Sequence, residues 1–357
     1  MFKKLLVLTL SLSLLLAACT PTASPTTQPD EPTPLTVMTH DSFSVSQEVI
    51  SAFEAANNIK VSFVKGGDTG ATLNRLILES LSGSTPSADV FFGLDNTFLS
   101  RALDEDLLEP YNAPQLAQIP AEFKLDPENR ALPVDYGDVC INYDKVWFEQ
   151  NDLPLPTSLA ELAGPQYANL LVVENPATSS PGLAFMLATV AEFGEDGWLD
   201  WWQAMKNNGV LITSDWETAY YTNFSGSSGR GAQPMVVSYA SSPAAEFIYA
   251  ESELTESPTA SLVEAGMCWR QIEFAGILKG TQNRAAAEKF IDFLLSQPFQ
   301  EDVPMQMFVY PVLPEAEIPE AFEKTVESPL EPASLAPELI ASQRDAWINA
   351  WINLMLN

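Results

Sequence analysis

Basic residues are scarce in this chain of 357 residues: 17 lysines and arginines stand against 47 aspartates and glutamates, giving a formal net charge of −30. A nucleic-acid-binding surface needs a stripe of basic side chains that neutralises phosphates. Nucleic acid is therefore excluded as a partner. A strongly acidic surface mainly keeps a protein soluble, and it attracts cationic ligands only weakly.

The usual motifs of catalysis and metal binding are also missing. The chain has one histidine, His40, and no cysteine and histidine cluster, nucleophile elbow or phosphate-binding glycine loop. A close carboxylate pair is inevitable among 47 acidic residues, so it is no evidence for a hydrolase. We expect a binding protein with no catalytic residue, no metal and no cofactor beyond its ligand, and keep a carboxylate-based cell-surface hydrolase as the lesser alternative.

A long apolar run is absent as well. Residues 5–16 are apolar but fall short of the roughly 20 needed to cross a bilayer, and Lys3 and Lys4 precede them. Residues 1–19 therefore read as a cleaved export signal. Its end, Leu16-Ala17-Ala18-Cys19, resembles the bacterial lipoprotein box, which implies that Cys19 carries lipid; a conventional signal is the alternative. We expect an extracytoplasmic, membrane-anchored lipoprotein at the cell surface or in the periplasm.

Residues 20–34 (TPTASPTTQPDEPTP) contain almost no apolar side chains. Such a segment cannot pack a core, so we expect a disordered tether between the membrane and a folded domain. About 320 residues then remain, which suits two lobes better than one simple core.

Only two cysteines remain once Cys19 is assigned to lipid, namely Cys140 and Cys268. In an oxidising compartment a single pair of cysteines is free to form a disulfide, and both lie in segments with the pattern of strands. We predict a disulfide between them, with two buried free thiols as the alternative.

Short apolar runs alternate with helical patterns along the chain, which is typical of parallel α/β sheets with right-handed crossovers. The pattern occurs twice, so we predict an α/β fold with two lobes. The predicted strands are 35–39, 60–64, 88–92, 170–173, 210–213 and 235–238, and the predicted helices are 46–56, 73–81, 181–193, 284–295 and 337–356.

Polar residues gather at three predicted junctions between a strand and a helix, the places where open α/β sheets bind ligands. They are residues 67–70 (GDTG), 175–182 (NPATSSPG) and 238–243 (SYASSP). Ser180 before Pro181 has the pattern of a helix N-cap followed by proline, and the free amides at such a helix start can receive an anion. Similar junctions in both predicted lobes indicate a cleft between them.

Seven short blocks stand out along the chain: residues 39–43 (THDSF), 93–96 (GLDN), 134–137 (VDYG), 178–183 (TSSPGL), 216–220 (WETAY), 238–243 (SYASSP) and 310–312 (YPV). Taken in this order, they resemble the thiamine-binding proteins of bacterial ABC importers. The resemblance extends from about residue 36 to residue 351 and includes the final helix around residues 343–347 (QRDAW). It implies a type II periplasmic-binding-protein fold that captures thiamine, or its phosphate or diphosphate, and delivers it to an importer permease. We expect a monomer.

The resemblance also implies which residues line the ligand cleft. They are Asp68, Thr69, Ser179, Ser180, Trp216, Tyr239, Ala240, Ser241 and Ser242. In the family these positions hold the polar and phosphate end of the ligand, a role that hydroxyl groups and helix amides can fill without a fixed cation.

Two positions depart from the family pattern. His40 stands where the family has a tyrosine, and Phe308 stands where it has a tryptophan. Both positions stack on the ligand rings in the family, so the resemblance makes His40 and Phe308 ring contacts of smaller area. A related aminopyrimidine therefore remains a candidate ligand.

Ferric iron is the alternative cargo, because the same broad fold serves iron import and this chain has adjacent tyrosines at Tyr220 and Tyr221. Iron would need phenolates that converge with carboxylate or imidazole ligands.

The resemblance places lobe crossings near residues 133–138 and 267–274. Lobe 1 then comprises residues 35–133 and 271–314, and lobe 2 comprises residues 134–270 and 315–357.

Overall fold

The sheet and helices below come from a computed structural model that describes residues 31–228, 231–250, 253–329 and 331–357. The strands are β1 (Thr33–Thr39), β2 (Ile59–Lys65), β3 (Val90–Asp95), β4 (Leu108–Glu109), β5 (Leu132–Asp144), β6 (Leu171–Glu174), β7 (Leu211–Thr213), β8 (Met235–Tyr239), β9 (Thr259–Leu262), β10 (Trp269–Leu278) and β11 (Tyr310–Pro311).

Most of the strands are connected by helices. The α-helices are α1 (Gln47–Asn57), α2 (Thr69–Leu81), α3 (Leu99–Asp104), α4 (Lys145–Asn151), α5 (Leu159–Leu162), α6 (Ser180–Asn207), α7 (Ser225–Ser228), α8 (Ser242–Ile248), α9 (Arg284–Leu294), α10 (Gln297–Gln306), α11 (Glu320–Thr325) and α12 (Pro337–Met355). Short 3₁₀ turns occur at Pro114–Ala117, Ala121–Phe123 and Pro165–Tyr167, and a π-helical turn occurs at Thr218–Asn223.

The predicted signal, with Cys19, and residues 20–30 of the predicted tether lie outside the described residues. The end of the tether prediction is wrong by two residues, because β1 begins at Thr33. Thr33 donates its amide to the Asn58 carbonyl at 2.9 Å, and β1 pairs with β2 along its whole length. Backbone pairing with a neighbouring strand thus extends β1 into polar sequence.

The sheet has the strand order β2-β1-β3-β10-β5-β8-β6-β7. Its first half-sheet (β2, β1, β3) is parallel, and so is its second half-sheet (β8, β6, β7). Between them lie β10 and β5, which run antiparallel to each other and to their outer neighbours β3 and β8. The predicted α/β alternation is confirmed, and two long strands of 13 and 10 residues connect the two half-sheets.

Helix α6 continues beyond its predicted end at residue 193. Gly194 interrupts it with a φ of 67°, a left-handed conformation that glycine adopts without steric cost. The continuation carries Trp198, Trp201 and Trp202, and the Trp202 ring meets Trp351 of α12 edge-on at 5.4 Å. These tryptophans are therefore core residues of the second half-sheet.

Cys140 on β5 and Cys268, one residue before β10, form a disulfide with a Cα–Cα distance of 4.3 Å. The ladder between the two strands pairs Val139 with Trp269, so the bond lies at the end of that ladder. Both sulfur atoms are buried. The disulfide therefore joins the two strands that connect the half-sheets.

Residues 32–357 form one compact unit, so the residue boundaries of the two lobes stay a prediction. Within the described residues, no helix combines the length and the apolar character needed to cross a membrane.

Candidate functional site

A cavity of about 300 Å³ opens between the two half-sheets. Residues that follow the carboxyl ends of the parallel strands line it, including His40 after β1, Asp68 after β2 and Trp216 after β7. Strands β5 and β10 contribute residues from their interiors, and the segment between α10 and β11 contributes Phe308. The cavity therefore occupies the position where open α/β sheets bind ligands.

Eight of the predicted site residues line this cavity. They are His40, Asp68, Thr69, Ser180, Trp216, Tyr239, Ser242 and Phe308.

Three predicted residues, Ser179, Ala240 and Ser241, do not line it. Ser179 is the fully buried N-cap residue of α6, and Ala240 packs against the disulfide. The Ser241 hydroxyl donates to the Phe308 carbonyl at 2.5 Å. Ala240 and Ser241 therefore serve the fold, and Ser241 fixes the backbone of a residue that does face the cavity.

Asp68 occupies the N-cap position of α2, and its Oδ2 accepts a hydrogen bond from the Trp216 amide at 3.0 Å. This bond connects a residue beside the first half-sheet to one beside the second. Burial raises the pKa of Asp68 to about 6, although the Ser179 hydroxyl and the Trp216 amide oppose the rise. Thr69 donates its hydroxyl to the Gly93 carbonyl at 2.6 Å. Helix α2 begins at this residue, four residues before its predicted start at residue 73.

Ser180 is the first residue of α6, one position after the true N-cap residue Ser179. Its hydroxyl donates to Oδ2 of Asp95, whose other oxygen accepts from the Thr97 amide at 2.7 Å. Gly182 lets the start of α6 approach β6 closely, because a Cβ there would lie 2.6 Å from the Glu174 carbonyl. The Ser180 hydroxyl therefore meets the cavity as an acceptor, since its proton is already donated.

An aromatic cluster begins at Trp216. Its ring stacks on Tyr220 with centroids 4.9 Å apart and planes 20° apart, and Tyr221 meets it edge-on at 5.5 Å. The indole Nε1 of Trp216 donates to Ser238 Oγ at 3.0 Å, and the Tyr220 hydroxyl donates to Glu246 Oε1 at 3.0 Å. These hydrogen bonds fix the planes of both rings beside the cavity.

Tyr239 packs directly over Gly137 of β5, where a Cβ would lie 2.9 Å from the tyrosine ring. Its hydroxyl donates to Gln271 Oε1 at 3.3 Å. Phe308 has a φ of 55°, and its ring meets Tyr249 edge-on at 5.6 Å. Aromatic faces thus come to the cavity from several separate segments of the chain.

His40 packs over Gly93 of β3, where the φ of 106° and a 2.6 Å approach of His40 Cδ2 to an ideal Cβ both require glycine. Its Nε2 lies 3.4 Å from Glu273 Oε1. Burial lowers the pKa of His40. Burial also raises the pKa of Glu273 to about 8 and that of Asp135 well above its ordinary range.

The charged groups that line the cavity are carboxyls. Among the described residues, no lysine or arginine lines it, whereas Asp68, Asp135 and Glu273 do. The described residues also contain no group of three or more histidine, cysteine or acidic side chains that could hold a metal ion. The site is therefore suited to an aromatic ligand that is neutral or positively charged.

Sequence reasoning missed several residues that line the cavity. They are Ser42, Ser44, Asp135, Gly137, Tyr249, Gln271, Glu273, Met305, Gln306 and Met307. Ser42, Asp135 and Gly137 stand inside blocks that carried the family resemblance, so those blocks were an available signal. Gln271 and Glu273 reach the cavity only through the pairing of β10 with β5, which no local pattern reveals.

Comparison with known proteins identifies the class. Residues 85–330 match the family described as bacterial extracellular solute-binding protein. This chain belongs to that family, and its mixed sheet has the type II fold of periplasmic binding proteins.

The names of individual relatives are more specific than the description of the family. A thiamine-binding periplasmic protein of Salmonella typhimurium is 32% identical over 322 residues, which cover 89% of this chain and 92% of the relative. The thiamine-binding periplasmic protein of Escherichia coli is 31% identical over the same shares of the two chains. A solved periplasmic thiamin binding protein superposes with a TM-score of 0.78 at 30% identity and covers 90% of this chain and 96% of its own. The family resemblance found in the sequence is thereby confirmed.

Proposed function

We propose that this protein captures thiamine, or one of its phosphates, outside the cytoplasm and delivers it to the permease of an ABC importer. The proposal combines the names of its relatives with the chemistry of its own cavity. Thiamine joins an aminopyrimidine ring to a positively charged thiazolium ring, so a complementary site needs aromatic faces and negative charge together.

The observation that carries the proposal is the composition of the cavity. Trp216, Tyr239 and Phe308 offer aromatic faces, and among the buried carboxyl groups Asp68 supplies negative charge above about pH 6. A cation held against aromatic rings in a desolvated site gains on the order of 2 kcal/mol. A permanent ring cation therefore suits this site better than a neutral sugar or an anion would.

The phosphate end of a phosphorylated ligand would meet hydroxyl groups and helix starts. Thr69 and Ser180 begin α2 and α6, whose first amide groups have no partner within their helices. The Asp68 carboxyl at the same place disfavours an anion when it is ionised. We expect thiamine to bind more tightly than thiamine diphosphate above pH 6, where Asp68 carries its charge.

Ferric iron suits the described side chains less well. The Tyr220 hydroxyl donates to Glu246, and burial raises the pKa of Tyr220 well above its ordinary value. Iron would need that phenol ionised and turned toward further oxygen ligands. Tyr220 instead stacks on Trp216, which is the arrangement of an aromatic ring surface.

Calorimetric titration with thiamine, thiamine phosphate and thiamine diphosphate at pH 7.5 tests the proposal. Saturable heat with thiamine is expected, and ferric citrate is the control ligand. No heat and no thermal shift with any thiamine form at millimolar concentration would refute the ligand assignment. Native mass spectrometry of the protein as purified gives an independent readout, since a bound ligand identifies itself by mass.

We further propose that Cys19 carries the lipid that anchors the protein. Cys19→Ala should move the protein from the membrane fraction to the soluble fraction without changing its thiamine affinity. The matched control is Cys140→Ser together with Cys268→Ser, which leaves the lipoprotein box intact. Membrane retention of the Cys19→Ala protein would contradict the anchor.

A further inference from the structure

Two acidic residues face each other across the pair of strands that connects the half-sheets. Asp135 of β5 and Glu273 of β10 are direct partners in the antiparallel ladder. Directly opposed residues in such a ladder project from the same face of the sheet, and both of these line the cavity. Asp135 is 2% exposed and Glu273 is 8% exposed, so bulk water does not solvate either carboxyl well.

The hydrogen bonding of this pair is incomplete. Asp135 and Glu273 hydrogen-bond to each other through a carboxyl proton, but Asp135 Oδ2 is buried and accepts no hydrogen bond from the N–H and hydroxyl donors of the described residues. The nearest ring nitrogen is Nε2 of His40, 3.4 Å from Glu273 Oε1, which is too long for a good hydrogen bond. A buried carboxyl oxygen that faces a cavity without a donor costs free energy until a ligand supplies one.

Two adjacent buried carboxyl groups cannot both be ionised at low cost, so the pair retains a proton at neutral pH. Burial first, and then repulsion from Glu273, raises the pKa of Asp135. A carboxyl pair with one proton presents an O–H donor beside acceptor oxygens. That is the complement of a ring nitrogen next to an amino group, just as an amide side chain complements the edge of adenine.

We propose that the Asp135–Glu273 pair recognises the aminopyrimidine end of the ligand, with its proton donated to a ring nitrogen and its free oxygen accepting from the 4-amino group. This inference rests on the proposed function and adds the orientation of the ligand to it. The thiazolium ring has no N–H donor and would leave Asp135 Oδ2 unpartnered. Its charge is instead satisfied by the aromatic faces of Trp216 and Tyr239.

The third carboxyl, Asp68, is the matched comparison. It also lines the cavity and is buried, but its Oδ2 already accepts from the Trp216 amide. Asp68 therefore acts on the ligand mainly through its charge, whereas the Asp135–Glu273 pair also acts through the direction of its hydrogen bonds. Removing the charge of Asp68 weakens every cationic ligand, and changing the pair alters the choice between ligands that differ at the 4-position.

The test measures affinities for thiamine and for its 4-deamino analogue, in which hydrogen replaces the 4-amino group. The ratio of the two dissociation constants is compared between the wild type, Asp135→Leu and Asp68→Asn. The wild type should prefer thiamine by about tenfold or more, because the analogue leaves a buried acceptor oxygen without its donor. Asp135→Leu removes that acceptor oxygen, so the ratio should fall to within about threefold of one. Asp68→Asn should lower both affinities and leave the ratio within about threefold of the wild type.

Asp135→Val, measured in the same way, provides a second variant if Asp135→Leu does not fold, and thermal unfolding reports folding for each. A wild type that binds both compounds equally overturns the inference without any variant. An unchanged ratio in a folded Asp135→Leu protein overturns it as well, as does an equal change in Asp68→Asn. Thiamine binding survives as the function in all three cases, whereas a wild type that binds neither compound overturns the proposed function itself.

Discussion

The carboxyl group of Asp68 makes the stability of the empty protein depend on pH. Burial raises its pKa from the ordinary value of 3.8 to about 6 in the folded state. The folded protein therefore binds this proton more tightly than the unfolded chain does. The contribution of the Asp68 proton to the free energy of unfolding is greatest below about pH 4. It declines as the pH rises from about 4 to about 6 and stays at its lower value above that.

The size of the effect follows from the two pKa values. A rise from 3.8 to about 6 corresponds to about 3 kcal/mol between the two protonation states. In Asp68→Asn the titrating proton is gone, while the amide oxygen of asparagine can still accept from the Trp216 amide. The difference in unfolding free energy, variant minus wild type, should therefore become more positive by about 2.4 kcal/mol from pH 4 to pH 7, because part of the change already lies below pH 4.

Urea unfolding without ligand, followed by tryptophan fluorescence at pH 4, 5, 6 and 7, measures this difference. Comparing the variant with the wild type at each pH cancels the other titrating groups. Asp200→Asn, at an exposed position of α6, is the control for changes that any such replacement makes. A variant-minus-wild-type difference that is constant over the whole pH range would refute the reasoning from burial.

Three further results are expected. Replacing Cys140 and Cys268 together by serine should lower the unfolding free energy by about 4 to 5 kcal/mol, because the bond closes a loop of 128 residues; equal urea midpoints for variant and oxidised wild type would contradict this. Gly93→Ala should destabilise the protein by about 1–3 kcal/mol and weaken thiamine binding through His40, and an unchanged thermal midpoint would contradict the close approach. Trp216→Ala should weaken thiamine roughly 5- to 150-fold and Trp216→Phe by less, which calorimetry checks; equal losses would argue against a ring contact.

The sequence was informative where function depends on local chemistry. Ser180 and Ser242 could be placed beside the cavity because each precedes a helix-starting proline just after a predicted strand, and open α/β sheets bind ligands at such junctions. The resemblance also assigned Ser179 and Ser241 to the ligand cleft, but neither of them lines the cavity. Ser241 donates to Phe308, a partner 67 residues away that no local pattern specifies.

The cavity-lining residues inside the sheet could not be predicted from local sequence patterns, for the same physical reason. Asp135, Gly137, Gln271 and Glu273 line the cavity because alternate residues of two paired strands share one face. The register that brings them together depends on strands separated by more than a hundred residues of chain. The resemblance supplied the fold class, but a type II fold alone does not say which acidic residues of β5 and β10 face each other.

The path of the chain has a consequence for how such a receptor can change its cargo. The chain runs through β5 into the second half-sheet and returns through β10, the disulfide fastens the two passages, and α12 then packs against α6 beyond the second half-sheet. The second side of the cavity is therefore one continuous insertion, because β6, β7 and β8 all lie between β5 and β10, whereas the first side is divided between the chain before β5 and the chain after β10. Exchange of the inserted stretch between related receptors would replace one wall of the cavity as a unit, whereas the opposite wall can change only by separate replacements in two distant parts of the chain.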